Sequence, residues 1–231
     1  MRGPTEPTGR HVRGEHPPER RTGLLVVDMT RALADPAVAG CDPAGPPAAE
    51  HCRRVLDSAR TAGLPVWFSR GGKRWHTSTG SPLSETERGG WLRQNGWQDD
   101  SRERAVLAME ITPQLTPAPG EVVITKSKPS AFFATPLPSQ LLGAGVGRLI
   151  VVGMMTSGCV RATVSDAFSY DLDVVIPVEC LADRDAPAHE ANLRDMGRKY
   201  ATLCATGDLA DRLVQGNLAE AAREHRRHRL G

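Results

Sequence analysis

Residues 148–170 read RLIVVGMMTSGCVRATVSDAFSY and contain a strand pattern, a turn and a helix pattern in succession. The apolar run Arg148–Gly153 has the length and β-branched content of a strand buried in a parallel sheet. A turn of small residues follows this run, and the helical pattern Cys159–Ser169 follows the turn. We therefore predict a strand that leads through a tight turn into a helix, which is the repeating unit of α/β proteins.

The same alternation extends along the chain on both sides of this unit. Other apolar runs of strand length are Gly23–Val27, Leu64–Phe68, Glu121–Ile124, Asp173–Ile176 and, as a possible sixth strand, Ala201–Ala205. Helical patterns occupy most gaps between the runs, at Ala48–Ala62, Pro138–Ala144 and Ala188–Lys199. This alternation predicts an α/β fold, a three-layer α/β/α sandwich with a central, mainly parallel six-stranded sheet. Ligands bind beyond the carboxyl ends of the strands in such sheets.

Three segments depart from the alternation. Residues 1–21 are rich in Pro, Gly, Arg and Glu and carry almost no aliphatic residues, so we predict a disordered N-terminal tail. Residues 216–231 form a basic C-terminal tail, which we interpret as a solvated helix end, with weak contact to an anionic partner as the alternative. Residues 70–107 are long, polar, glycine-rich and tryptophan-bearing. We predict that they form a lid or insertion, or an oligomer contact, within one domain of residues 22–215.

The composition excludes several classes of function. The 29 basic and 27 acidic residues nearly cancel, so no overall field favours nucleic acid. There is no apolar run of membrane-spanning length, and the first residues lack the apolar core of a signal peptide. The 5 cysteines are an odd number without metal-like pairing, which favours free thiols in a reduced cytoplasm. We expect a cytoplasmic protein with no nucleic-acid partner and no membrane partner.

Cys159 lies where the turn after the strand Arg148–Gly153 meets the following helix. The positive end of a helix dipole favours the thiolate form of a cysteine at that position. The N–H groups of the turn are also suited to binding an oxyanion. The alternative is a buried cysteine that behaves as a small hydrophobic residue, since free cysteines are often buried. Position alone leaves both interpretations open.

Two charged residues follow other predicted strands. Asp28 ends the first apolar run and suits either a helix cap or a general base in apolar surroundings. Lys126 follows the third run, where a lone lysine is usually a solvated strand end, and Lys128 competes for any lysine role there. Because carboxyl ends of neighbouring parallel strands share one edge of the sheet, Asp28, Lys126 and Cys159 together favour an acyl-transfer site.

Five motifs follow one another along the chain, namely LLVVDMTRA (24–32), KSKPSAFFAT (126–135), VVGMMTSGCVRATVSDAFSY (151–170), VECLADRDAPAHEANLRDM (178–196) and KYA (199–201). Their order resembles that of the isochorismatase-like cysteine hydrolase superfamily. The resemblance covers residues 22–206 and is closest to the branch of N-carbamoylsarcosine and maleamate amidohydrolases. It implies an isochorismatase-like fold with a Rossmann-like strand order.

The resemblance implies a catalytic triad of Asp28, Lys126 and Cys159. The family spacing selects Lys126 over Lys128, because the catalytic lysine precedes the first phenylalanine of the motif, here Phe132, by six residues. This triad implies a thioester on the cysteine during hydrolysis of an amide-type C–N bond.

The resemblance also implies a backbone feature before the nucleophile. The family places a cis peptide bond there, which falls at Met154–Met155 in this sequence. The N–H groups of Met155 and Cys159 then form an oxyanion hole. The close branch typically has threonine at the position of Met155, so this chain lacks a hydroxyl in the expected pocket.

One candidate substrate-binding residue, Arg184, follows from the same resemblance. Arg184 matches an arginine that resembles the clamp for a substrate carboxylate, a task suited to a planar guanidinium. The alternative for Arg184 is a structural ion pair with Asp183 or Asp185. Arg161 is interpreted as structural. The further candidates are apolar or aromatic, namely Leu33, Trp75, Trp91 and Trp97.

We expect no metal and no cofactor. Nicotinamidases of this superfamily carry a cluster of Asp and His residues after the second strand, whereas residues 69–80 here, SRGGKRWHTSTG, hold His76 alone. One histidine does not make a metal site of useful affinity. The resemblance implies a homo-oligomer, a dimer or a tetramer, that acts on a small-molecule amide.

The expected function is hydrolysis of a C–N amide or carbamoyl bond in a small, carboxylate-bearing substrate, with release of ammonia or an amine. One alternative is a natural-product amide or lactam hydrolase with a larger pocket. Others are an isochorismate-type vinyl-ether hydrolase and a non-catalytic binding subunit on the same fold. An intact Cys159 argues against the vinyl-ether reaction, because family members with that chemistry do not need the cysteine.

Overall fold

The computed structural model describes residues 20–38, 41–72 and 106–217, which form one sheet with helices on both faces. The strands in these ranges are β1 Arg21–Val27, β2 Val66–Gly71, β3 Val122–Lys126, β4 Val146–Met154, β5 Asp173–Pro177, β6 Leu181–Ala182 and β7 Ala201–Cys204. The helices are α1 Arg31–Ala34, α2 Gly45–Thr61, α3 Leu137–Gly143, α4 Arg161–Ser169, α5 Ala186–Lys199 and α6 Thr206–Gln215. Short 3-10 turns occupy Pro113–Leu115 and Val178–Cys180, and a π-helical turn occupies Thr156–Val160.

The paired strands run parallel in the order β3-β2-β1-β4-β5-β7, with β6 beside β4. Chain order reverses between β1 and β4, and this switch point is where ligands bind in doubly wound sheets. Leu24 lies opposite Ile150 and Val27 lies opposite Gly153, so the residues that follow β1 and β4 lie side by side. The predicted α/β/α sandwich and its Rossmann-like strand order are confirmed.

Within the described ranges the sheet has seven strands, whereas the sequence predicts six. The difference is β6, which consists of Leu181–Ala182 alone and pairs with Gly153 and Met154 at the end of β4. Two residues are too few to show a strand period, so the sequence pattern does not reveal this strand.

The domain boundary at the N-terminus differs slightly from the predicted one. β1 begins at Arg21, and Arg20 donates to the carbonyl of Asp171 at 3.0 Å, so both residues belong to the folded domain. The rest of the predicted N-terminal tail, residues 1–19, lies outside the described residues, as do residues 218–231 of the predicted C-terminal tail and residues 73–105 of the predicted lid. In the parts of the chain that the structure describes, no helix is long and apolar enough to cross a membrane.

Two apolar cores cover the two faces of the sheet. Along β1, Leu24 and Val26 belong to one core, and Leu25 and Val27 belong to the other. Side chains of α2 and α6 complete the first core, and side chains of α3, α4 and α5 complete the second. A strand that is covered on both faces needs apolar residues at every position, which explains the uninterrupted run GLLVV.

Gly153 allows β4 to approach β1 closely just before the candidate site. Its φ is +125°, a backbone conformation that side chains rarely permit. A Cβ atom at this position would lie 2.0 Å from the carbonyl oxygen of Val27. Glycine is therefore required where the chain leaves the sheet towards Met154 and the following turn.

Candidate active site

Three side chains meet at the carboxyl edge of the sheet. Lys126 Nζ lies 2.7 Å from Asp28 Oδ2 and donates a hydrogen bond to Cys159 Sγ at 3.3 Å. The side chains of Lys126 and Asp28 are 2% and 9% exposed, so water screens their interaction only weakly. The structure thus brings together the three residues that the sequence predicts as a triad.

Asp28 is held in one orientation by the neighbouring strand. Ser69 Oγ, on β2, donates to Asp28 Oδ1 at 2.8 Å, and the N–H of Asp28 donates to the carbonyl of Ser69 at 3.0 Å. Asp28 is not the cap of the following helix, because α1 begins at Arg31 with Thr30 in the cap position. The helix-cap alternative is therefore wrong, and the carboxylate is directed towards Lys126 and Cys159.

Lys126 is the last residue of β3 and is almost completely buried. Burial alone lowers the pKa of its ammonium group, but the charges of Asp28 and Cys159 and their hydrogen bonds outweigh burial and raise that pKa. Lys126 is therefore a cation at neutral pH. Its Nζ also donates to the backbone carbonyl of Lys128 at 3.2 Å. Lys126, rather than Lys128, thus supplies the ammonium group of the cluster.

Cys159 lies in the π-helical turn, two residues before α4, and is partly exposed. Burial raises the pKa of its thiol to about 12, the Asp28 carboxylate adds to the rise, and the Lys126 ammonium offsets part of it. The thiol is therefore protonated at neutral pH. Burial and the Asp28 carboxylate both act against the thiolate form, which the helix dipole considered from the sequence favours. A neighbouring base is needed to activate the sulfur.

The turn before Cys159 has the predicted cis peptide bond, at Met154–Met155. The carbonyl of Met155 accepts hydrogen bonds from the N–H groups of Gly158 at 3.0 Å and Val160 at 3.1 Å, which closes the turn around Cys159. Met155 and Cys159, the two residues predicted for an oxyanion hole, therefore belong to one compact turn. The use of their N–H groups remains a prediction.

Asp183, directly after β6, and His189 of α5 hold this turn in place. Asp183 Oδ2 accepts from the N–H of Ser157 at 2.8 Å and from its hydroxyl at 2.6 Å. Thr156 Oγ1 lies 2.8 Å from His189 Nδ1. These contacts are not predicted from the sequence, in which Asp183 is only an alternative ion-pair partner for Arg184. No sequence signal marks these contacts, because the strand that positions Asp183, β6, is too short to show a strand pattern.

Arg184 lies beside the nucleophile turn. Its NH2 group is 3.3 Å from Met155 Sδ, and its Nε is 3.6 Å from Asp42 Oδ2. The ion pairs considered from the sequence, with Asp183 or Asp185, are not those observed, because Asp183 accepts from Ser157 and Asp185 caps α5. The Arg184 side chain is 38% exposed, so the guanidinium can still contact a ligand.

The other candidate substrate-binding residues are placed differently. Leu33, in α1, is 4% exposed and packs in the core on the α2 face of the sheet. Trp75, Trp91, Trp97 and His76 lie outside the described residues. Arg161 donates to Asn192 Oδ1 at 2.9 Å on the surface, in keeping with its structural interpretation. Among the residues described, no group of three or more His, Cys, Asp or Glu side chains is arranged to hold a metal ion.

A doubly wound parallel sheet with Asp28 and Cys159 after the two strands of its switch point defines a three-layer α/β protein, a class in which ligands bind at this edge. Comparison with known proteins then identifies the family. The isochorismatase domain matches residues 22–208, so the chain belongs to the isochorismatase family.

Individual relatives agree with this assignment. Maleamate amidohydrolase of Pseudomonas putida is 32% identical over 195 residues, which cover 84% of this chain and 87% of the relative. A crystal structure of an isochorismatase family protein from Desulfovibrio vulgaris is 28% identical, with a TM-score of 0.68, and the match covers 84% of this chain and 98% of that one. N-carbamoylsarcosine amidase from Thermoplasma acidophilum shares the fold at 22% identity and a TM-score of 0.63, over 80% of this chain and 96% of that one. The predicted superfamily and branch are confirmed.

Proposed function

We propose that this chain is a cysteine amidohydrolase that cleaves a C–N amide or carbamoyl bond through a thioester on Cys159. The observation that carries the proposal is the position of Lys126 Nζ, in contact with both Asp28 Oδ2 and Cys159 Sγ. A nucleophile, a carboxylate base and a cation within hydrogen-bonding reach satisfy the geometry of covalent acyl transfer. The similarity to a maleamate amidohydrolase supports the same type of bond cleavage.

In the first step, Asp28 accepts the thiol proton while the sulfur attacks the substrate carbonyl carbon. A C–S bond forms, and the carbonyl oxygen becomes an oxyanion that the N–H groups of Met155 and Cys159 stabilise. Proton transfer from a thiol with a pKa of about 12 is unfavourable on its own. The Lys126 ammonium offsets this cost, because it stabilises the thiolate as it forms.

In the second step, protonated Asp28 gives its proton to the nitrogen of the tetrahedral intermediate. The C–N bond breaks, ammonia or an amine leaves, and the acyl group remains on Cys159 as a thioester. Asp28 then accepts a proton from a water molecule that attacks the thioester carbonyl. The carbonyl re-forms as the C–S bond breaks, the product acid leaves, and Asp28 returns its proton to the sulfur, which restores the thiol.

The surroundings of the sulfur support a proposed substrate class. The Arg184 guanidinium lies beside Met155, and its partial exposure leaves donors for a substrate carboxylate. The amide to be cleaved and a carboxylate are therefore proposed to belong to the same small molecule. This assignment rests on Arg184 and is separate from the assignment of the triad.

Ammonia release from a panel of carboxylate-bearing amides and N-carbamoyl compounds tests the proposal. We expect Cys159→Ala to lose about 10³-fold or more of the rate of the unmodified chain. Cys204→Ala is the matched control, because Cys204 is also a partly exposed cysteine but lies on β7. Hydrolysis by Cys159→Ala at the rate of the unmodified chain contradicts the proposal.

A further inference from the structure

The residues after β6 connect two parts of the candidate site. Asp183 Oδ2 accepts both the N–H and the hydroxyl of Ser157, at 2.8 and 2.6 Å. Ser157 precedes Cys159 by two residues in the π-helical turn, and Asp183 directly precedes Arg184. Asp183 is 8% exposed, so water competes little for these hydrogen bonds. One carboxylate therefore ties the turn that carries the sulfur to the segment that carries the guanidinium.

Further contacts hold the two segments that Asp183 joins, the nucleophile turn and the segment with Arg184. β6 pairs in parallel with the last two residues of β4, directly before the turn. His189 Nδ1 lies 2.8 Å from Thr156 Oγ1, which attaches the turn to α5 as well. On the other side, Asp42, whose side chain is 4% exposed, lies 3.6 Å from the Nε of Arg184. The nucleophile turn is thus attached to Asp183, next to Arg184 in the chain, and the Arg184 guanidinium is held by Asp42.

We propose that Asp183 is a positioning residue that fixes the distance between the Arg184 guanidinium and the Cys159 sulfur. Under the proposed function, this distance selects substrates by the number of atoms between their carboxylate and the carbonyl that is attacked. A substrate of the matching length places its carbonyl over the sulfur when its carboxylate contacts Arg184. A longer or shorter homologue satisfies only one of the two contacts.

The size of the effect follows from the geometry of attack. A misplacement of about 1 Å of a reacting group can lower a rate by about 100-fold. One methylene group changes the length of a substrate by about that distance. A fixed distance between the Arg184 guanidinium and the Cys159 sulfur therefore discriminates strongly between substrates that differ by one methylene group. Without the hydrogen bonds of Asp183, the turn can adjust to substrates of several lengths and favours none of them.

The test measures kcat and KM for monoamides of a homologous series of linear dicarboxylic acids, each longer than the previous one by a methylene group. We expect the unmodified chain to prefer one length. Asp183→Ala should lower kcat/KM for that length by about 100-fold and flatten the preference across the series. Asp183→Asn keeps an acceptor oxygen for Ser157, so it should retain the preference with a smaller loss.

Asp185→Ala is the matched control, because Asp185 caps α5 and makes no side-chain contact with Ser157 among the described hydrogen bonds. It should lower the melting temperature while keeping the length preference.

If Asp183→Ala does not fold, Ser157→Ala removes only the hydroxyl contact and should flatten the preference partly. A preference that persists in Asp183→Ala and Ser157→Ala, or is absent from the unmodified chain, overturns this inference alone. Failure of the unmodified chain to hydrolyse any carboxylate-bearing amide overturns the proposed substrate class as well.

Discussion

Lys126 Nζ lies 2.7 Å from Asp28 Oδ2, and both side chains are almost completely removed from water. Such a pair is stable only when both charges are present, because a single buried charge without its partner is costly. The same ammonium group donates to Cys159 Sγ at 3.3 Å. Lys126 therefore contributes to stability through Asp28 and, in the proposed mechanism, to catalysis through the sulfur. These two contributions can be separated by mutation.

Lys126→Met should lower both stability and activity. The unpaired Asp28 carboxylate should reduce the free energy of unfolding by about 3–5 kcal/mol, measured by urea denaturation. Amidase activity should fall by about 10³-fold or more. The double variant Asp28→Asn/Lys126→Met should recover part of the stability and none of the activity. Lys128→Met keeps the ion pair between Lys126 and Asp28, so it should lower stability and activity much less. If Lys128→Met loses as much stability and activity as Lys126→Met, Lys126 is not the lysine of the site.

Asp28→Asn should separate thiol reactivity from turnover. Asp28 raises the pKa of the Cys159 thiol, so removing its charge lowers that pKa and increases the thiolate fraction. Alkylation by iodoacetamide at about pH 8 should therefore become faster than in the unmodified chain, while amide hydrolysis is lost with the base. Lys126→Met should slow alkylation, because Lys126 lowers the thiol pKa. Slower alkylation in Asp28→Asn than in the unmodified chain would contradict the proposed effect of Asp28 on the thiol pKa.

In the unmodified chain, the rate of Cys159 alkylation should rise steadily with pH. With a thiol pKa of about 12, the thiolate fraction of Cys159 rises about tenfold per pH unit, without a plateau below about pH 10. The labelled cysteine is identified by peptide mass spectrometry, because Cys41 and Cys204 are also partly exposed. A plateau near neutral pH would show that Cys159 is a thiolate in the resting site.

Much of this arrangement can be predicted from the sequence. The apolar runs that precede Asp28 and Cys159 are buried strands, as the sequence predicts. The run that precedes Lys126 is wrongly predicted as buried, because β3 lies at the edge of the sheet and exposes Val122 and Val123. Parallel pairing still brings the carboxyl ends of these strands to one edge. Spacing does not distinguish Lys126 from Lys128, and only the family resemblance selects between them.

Other features depend on contacts between distant segments and leave no periodic signal. β6 is too short to show a pattern, and the hydrogen bonds of Asp183 with Ser157 join residues 26 positions apart. The protonation of Cys159 depends on burial and on Asp28, which a local sequence motif does not report. The ion pair of Arg184 with Asp42 also requires the fold, since the two residues are distant in the sequence.

Gly153→Ala should destabilise the domain through the backbone. The added Cβ would lie 2.0 Å from the carbonyl oxygen of Val27, and φ of +125° is unfavourable for alanine. We expect a loss of about 3 kcal/mol in the free energy of unfolding. Gly143→Ala is the control, because a Cβ there meets no atom within 4 Å. Equal stabilities of the two variants are incompatible with the close approach of β4 to β1.

Arg184→Gln should weaken binding of carboxylate-bearing substrates. Hydrogen bonds to a charged group contribute about 1.5–3 kcal/mol, so KM should rise about 10-fold to 100-fold for an amide with a carboxylate. Turnover of a neutral amide of similar size should change little. Arg161→Gln is the control, since Arg161 contacts Asn192 and Asp195 on the surface. An equal effect of Arg184→Gln on charged and neutral amides argues against the substrate clamp.

The most direct measurement is the mass of the chain after rapid acid quenching during turnover of an amide that the chain hydrolyses. The account predicts a species heavier than the free chain by the acyl group of the substrate, located on Cys159 by peptide mapping and absent from Cys159→Ala. Cys204→Ala should give the same adduct. Full turnover without a covalent species, or an acyl group on a residue other than Cys159, contradicts the thioester mechanism.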